Sequence, residues 1–167
     1  MNLDELLPLL GRSVVDSQLN SFLSVLSDGL VRGLALPSGE YRTYYENRSD
    51  GYSLVFTDEA MFLGREDQGI GTGSLYLSGI FLYSEGKDDY SEYAGSMPNG
   101  IRFDATQSDI AKVLGEASWS RERRDKSIAA ERWDTFFDYR LHITYSKNTC
   151  CPVVVSLNIA DKPSSRV

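Results

Sequence analysis

Histidine and cysteine are nearly absent: one and two residues respectively in 167. That leaves little material for a thiol–imidazole mechanism or a thiolate–imidazole metal centre. Positive charge is short as well, with 17 Lys and Arg against 24 Asp and Glu, a formal net charge of −7. A general nucleic-acid binder needs a cationic footprint to displace counterions from phosphates, and an anionic bilayer surface makes the same demand. Neither partner is expected. No apolar run approaches the roughly 18 residues that a membrane-crossing helix requires. Met1-Asn2-Leu3-Asp4-Glu5 carries acid where a secretion signal carries Lys or Arg. Cys150 and Cys151 are adjacent and make no disulfide framework. These absences predict a cytoplasmic protein.

The remainder is the composition of a folded chain, 41% hydrophobic and 25% charged. Leu3, Leu6, Leu7 and Leu10 recur at helical spacing, predicting a short helix that Gly11 stops. A second helix is expected to start near Ser13 to Ser17, with Ser13 and Asp16 as capping pair, and to run to about Leu26. A third, at about Gln107 to Leu114, has Thr106 as cap, Asp109 at the third position and Gly115 at its end. Strands are predicted at Glu40 to Tyr45, Tyr52 to Thr57, Leu75 to Tyr83, Arg132 to Phe137, Leu141 to Tyr145 and Val153 to Ile159. Simple alternation puts Leu75, Leu77, Phe81 and Tyr83 on one face of the third strand and Tyr76, Ile80 and Leu82 on the other, as in a central strand covered on both sides. Residues 116–130, with their charge run Arg121 to Lys126, read as a loop, and Asp161 to Val167 as a loose tail.

The two halves of the chain rhyme. Asp4 to Gly11 matches Ser108 to Gly115 without gaps, Arg42 to Glu46 resembles Asp134 to Asp138, and Tyr52 to Phe56 aligns with Arg140 to Thr144. Ser78 to Tyr83 parallels Val153 to Asn158. The pattern predicts an α+β fold in a single domain, residues 1–167. Two helix-plus-antiparallel-meander repeats, about 3–83 and 97–160, would form one curved sheet with helices on one face.

Met97-Pro98-Asn99-Gly100-Ile101-Arg102-Phe103, then Ser108-Asp109-Ile110, Val113-Leu114-Gly115 and a strand bearing Trp133, resembles small cytosolic immunity proteins of bacterial polymorphic-toxin systems. Their wider structural relatives are the β-lactamase inhibitory protein and small outer-membrane assembly lipoproteins, which share the helix-then-meander unit. The chain departs from the pattern at Gly115-Glu116-Ala117, where proline usually follows Leu-Gly-x, and it has no lipobox cysteine near Met1. The resemblance implies a non-enzymatic inhibitor that occludes the active site of a cognate toxin, with no cofactor and no metal. The other reading is a small-ligand or envelope-associated binding module of the same fold.

The residues offer few chemical alternatives. His142 reads as a strand residue on the face opposite Leu141 and Ile143, and Cys150-Cys151-Pro152 as a turn. Gly69 to Gly73 precedes a strand and lacks the Gly-Lys-Ser/Thr element of a phosphate loop, so it reads as a flexible connection. The more informative cluster is Glu85, Asp88, Asp89, Tyr90, Glu92 and Tyr93, where acids steer a basic partner and tyrosines supply rigid contact area. With Asp58 and Glu59 these residues are expected to form an anionic rim, and Trp119 to serve as a partner anchor. Trp133 is assigned to the core.

Overall fold

The fold was analysed in a computed structural model that describes residues 1–136 and 138–159. Phe137 and the tail from Ala160 lie outside the described residues. Seven strands form one antiparallel sheet: β1 (Arg42–Asn47), β2 (Tyr52–Asp58), β3 (Leu75–Tyr83), β4 (Trp119–Glu122), β5 (Ile128–Phe136), β6 (Tyr139–Tyr145) and β7 (Pro152–Ile159). Their order across the sheet is β1-β2-β3-β7-β6-β5-β4. Each half is thus a meander of sequential neighbours, and the last strand of one meander pairs with the last strand of the other.

The register at that seam is symmetric with respect to the sequence rhyme. Phe81 lies opposite Ser156, Ile80 opposite Leu157 and Leu82 opposite Val155. In the alignment of the halves Phe81 matches Ser156, Ile80 matches Val155 and Leu82 matches Leu157, so the pairing exchanges equivalent positions about Phe81–Ser156. The second meander carries an additional edge strand, β4.

Charge did not keep residues 116–130 in a loop. Arg121 and Glu122 belong to β4, and Ile128, Ala129 and Ala130 open β5. All four residues of β4 are exposed, because an edge strand needs neither face buried. The alternation in β3 is also rephased. Val55 pairs with Gly79 but Phe56 with Leu77, leaving Ser78 as a β-bulge. Leu75 and Leu77 therefore share the core face with Ile80 and Leu82, while Tyr76, Phe81 and Tyr83 point the other way, only partly buried. A Cβ at Gly79 would come within 2.5 Å of Oδ1 of Asn158, so a larger residue there would displace that side chain.

One face of the sheet is covered by α1 (Leu3–Leu6), α2 (Ser17–Leu26), α3 (Leu30–Gly33) and, downstream of the short α4 (Glu59–Leu63), by α5 (Gln107–Leu114). Leu6, Leu19, Leu23 and Ile110 join Leu54, Phe56, Leu77, Leu141, Ile143 and Leu157 in one apolar cluster. Burying side chains of this size contributes about 1.5–3 kcal/mol each. Helix α4 lies at the end of the opposite face, where Phe62 stacks on Tyr76 at 4.6 Å.

The first predicted helix is cut short. Pro8 has no N–H to donate to the carbonyl one turn back, and Leu7–Leu9 tighten into a 3₁₀ turn. The second starts at Ser17, the late end of the predicted range, because residues 11–14 run beside the start of β3. There the Gly11 and Val14 amides donate to the carbonyls of Leu77 and Leu75. Asp16 alone caps α2, accepting from the amides of Gln18 and Leu19. The third helix has the predicted ends, with a reciprocal Thr106–Asp109 capping box. Trp133 is buried and donates Nε1–H to the Gly115 carbonyl at 3.3 Å.

Candidate protein-binding face

The face of the sheet opposite α1, α2 and α5 carries a row of directly opposed residues, one from each strand: Glu46, Ser53, Phe81, Ser156, His142, Arg132 and Trp119. Six interstrand steps make it about 29 Å long. At its β4 end Trp119 stacks beside His142 with ring centroids 6.2 Å apart, and the Arg132 guanidinium sits 5.3 Å from the Trp119 ring centre. Asp134 ties down two cations, with Oδ1 2.9 Å from Nε of Arg132 and 2.7 Å from Nε of Arg140. Burial pushes the His142 pKa down, and Arg121 and Arg132 add to the shift. His142 is thus held neutral among cations, as an aromatic wall of the sheet. Trp119 is 38% exposed. The charge run around it predicts a loop; Trp119 instead lies on an edge strand, with its ring set beside His142 and Arg132.

The acidic segment after β3 divides into two parts. Its tyrosines are spent on packing. Tyr90 stacks on Tyr83 at 3.8 Å on the open face, and Tyr93 meets Tyr52 edge-on at 6.4 Å on the core face. The segment therefore straddles the end of the sheet. Both rings are buried, with Tyr90 at 3% and Tyr93 at 5% exposure, so neither is available as partner contact area. Burial, with Tyr83 and Glu46 nearby, raises the Tyr90 hydroxyl pKa; burial and then Asp4 raise that of Tyr93. Arg48 locks the arrangement. Its guanidinium lies 5.1 Å from the Tyr90 ring centre, donates to the Asp88 carbonyl and meets the Glu46 carboxylate at 3.2 Å.

The acids of the same segment do face solvent. Glu85, Asp88, Asp89 and Glu92 are exposed, with Lys87 paired to Asp88 at 2.7 Å. Asp88 and Asp89 both hold left-handed backbone, with φ of 52° and 63°, which turns the chain back on itself. Glu85 accepts from the Glu92 amide and closes the turn.

Asp58 and Glu59 do not belong to this surface. They sit at the other end of β2 from Tyr52, about 20 Å along the strand. Asp58 is fully buried; its two oxygens accept from the amides of Ala60 and Gly71, each at 2.9 Å. Glu59 accepts from the Ser74 amide and pairs with Arg65 at 2.5 Å. Both carboxylates are staples that fold residues 59–74, and the glycine-rich connection is held by one of them. The continuous rim expected from the sequence is therefore not formed. Trp119 is likewise remote, four strands across the sheet from β3.

Among the described residues no group of His, Cys, Asp and Glu is placed to hold a metal ion, and no helix is long and apolar enough to cross a membrane. Comparison with family models, with curated proteins and with solved structures finds no match.

Proposed function

We propose that this chain is an inhibitor of the immunity-protein kind, which binds a cognate bacterial toxin and covers its active site. The observation that carries the reading is the open sheet face: a 29 Å row of opposed side chains ending in the buttressed Trp119. A rigid aromatic beside the partly buried Arg132 has the chemistry of an interface hot spot. The acids at 85–92 stand at one end of β3 and favour approach by a basic partner surface. The resemblance of Met97 to Gly115 to immunity proteins supports the same assignment.

The test is to look for a toxin-like reading frame beside the gene and to co-express any such frame with this chain. Rescue of growth and a co-purifying complex are expected. Trp119→Ala is expected to weaken that complex about thirtyfold or more, a hot-spot loss of about 2 kcal/mol. Neutralising Asp88, Asp89 and Glu92 together is expected chiefly to slow association and flatten its salt dependence. A complex indifferent to Trp119→Ala would remove the sheet face from the interface, and absence of any complex would end the toxin reading.

A further inference from the structure

The two edges of the sheet are protected unequally. β4 is four residues long and has an irregular register at Arg121/Glu122. β1 is six residues long, pairs with β2 without a register shift, and contains no proline or lysine. The Asp58 amide donates to the Tyr41 carbonyl opposite it, and the alternation of antiparallel bonding fixes the rest. Thr43, Tyr45 and Asn47 bond to β2, whereas the N–H and C=O groups of Arg42, Tyr44 and Glu46 point outward. Among the described residues no backbone group bonds to them. A cavity of about 480 Å³ runs along this edge, lined by Pro37, Arg42, Tyr44 and Glu46 among others.

The outward residues are self-complementary. Arg42 and Glu46 lie two positions either side of Tyr44, and all three side chains are exposed on the open face. An antiparallel copy centred on Tyr44 places Arg42 opposite the second copy's Glu46, and Glu46 opposite its Arg42. Tyr44, 55% exposed, meets its own counterpart on the axis. The same centring makes all three opposed pairs hydrogen-bonding pairs, so three N–H donors from each strand find carbonyls, six bonds in all. A register displaced by two residues loses both charge matches and leaves Tyr44 off the axis.

We infer that β1 is a homodimer edge, through which two copies of this chain join their sheets about a two-fold axis passing between the paired Tyr44 residues. The axis stands perpendicular to the sheet, so both open faces lie on the same side and one dimer presents two docking rows. This inference does not depend on what the open face binds.

Sedimentation across a concentration series from about 1 to 500 μM tests it. The wild-type chain is expected to pass from monomer to dimer. Arg42→Glu or Glu46→Arg alone brings like charges together at two symmetric places and is expected to weaken association about tenfold or more. Mixing the two variants is decisive: the Arg42→Glu chain has acid at both positions and the Glu46→Arg chain has base at both. Their equimolar mixture is expected to dimerise where neither does alone, which an unfolded variant could not do. A wild-type chain monomeric throughout, variants that dimerise unchanged, or a mixture that stays monomeric would each overturn the inference. Pairing of this edge with a strand from another protein, without self-association, would count among those failures.

Discussion

Replacing Asp58 with alanine separates a folding role from a binding role for a residue that composition alone would put on the surface. The carboxylate is fully buried and accepts two amide hydrogen bonds, one from Ala60 at the start of α4 and one from Gly71 across the glycine-rich connection. Loss of an N-cap costs about 1 kcal/mol, and loss of a hydrogen bond to a charged acceptor about 1.5–3 kcal/mol. Gly71 is exposed and recovers a water partner, which reduces the second figure. The sum is about 2–3 kcal/mol. For a domain of this length that lowers Tm by about 5–10 °C. Asp58→Asn keeps an oxygen for Ala60 but turns an amide towards the Gly71 N–H, and is expected to lie between wild type and Asp58→Ala. Urea titration followed by circular dichroism measures all three, and partner affinity measured well below Tm is expected to be unchanged. Stability within 0.5 kcal/mol of wild type, or a loss of binding without a loss of stability, would refute the reasoning and return Asp58 to the interface.

Three further substitutions probe backbone conformation and burial. Gly51 has φ +73°, and a Cβ there would collide with backbone atoms of Ser91, Glu92 and Tyr93. Gly51→Ala is expected to cost about 3–5 kcal/mol. Gly86→Ala, at φ +74° with open space around it, costs only the backbone strain of about 1–2 kcal/mol; equal losses in thermal denaturation would show that the close approach at Gly51 is not tight. His142 has a folded-state pKa below 6.5, so the unfolded chain takes up the proton first as pH falls. Its contribution is therefore complete above about pH 6.5 and declines below it; His142→Gln is expected to flatten the stability profile between pH 7 and pH 5, and a profile identical to wild type would contradict the burial.

What could be read in advance was what local chemistry decides. α5 is delimited by Thr106, Asp109 and Gly115 within ten residues, and its predicted and observed ends coincide. The helix-then-meander order followed from turn residues and alternation. β3 resisted because its phase is set by β2 and by Asn158 against Gly79, neither of which lies near it in sequence. Residues 116–130 resisted because charge marks an edge strand as readily as a loop. At the candidate site, the acids of 85–92 were legible and the tyrosines among them were misassigned. Nothing in a Tyr-rich acidic run says that one ring will stack on Tyr83 and another on Tyr52. Asp58 did carry a signal, an acid immediately before Glu-Ala and an apolar pair, which is an N-cap pattern. The row from Glu46 to Trp119 needed the register of every strand and had no sequence signature.

The seam between β3 and β7 sets the order in which this chain assembles. β1 and β2 close across four residues, 48–51, whereas Tyr83 and Val154 must meet across about seventy. The additional closure entropy, about four doublings of loop length, is about 2.5 kcal/mol. Each meander can zip from its own hairpins, so the five residue pairs of the seam are expected to form last and part first. Folding is expected to bring together two half-sheets, and a chain caught before that step would expose two further unpaired edges to any neighbouring strand.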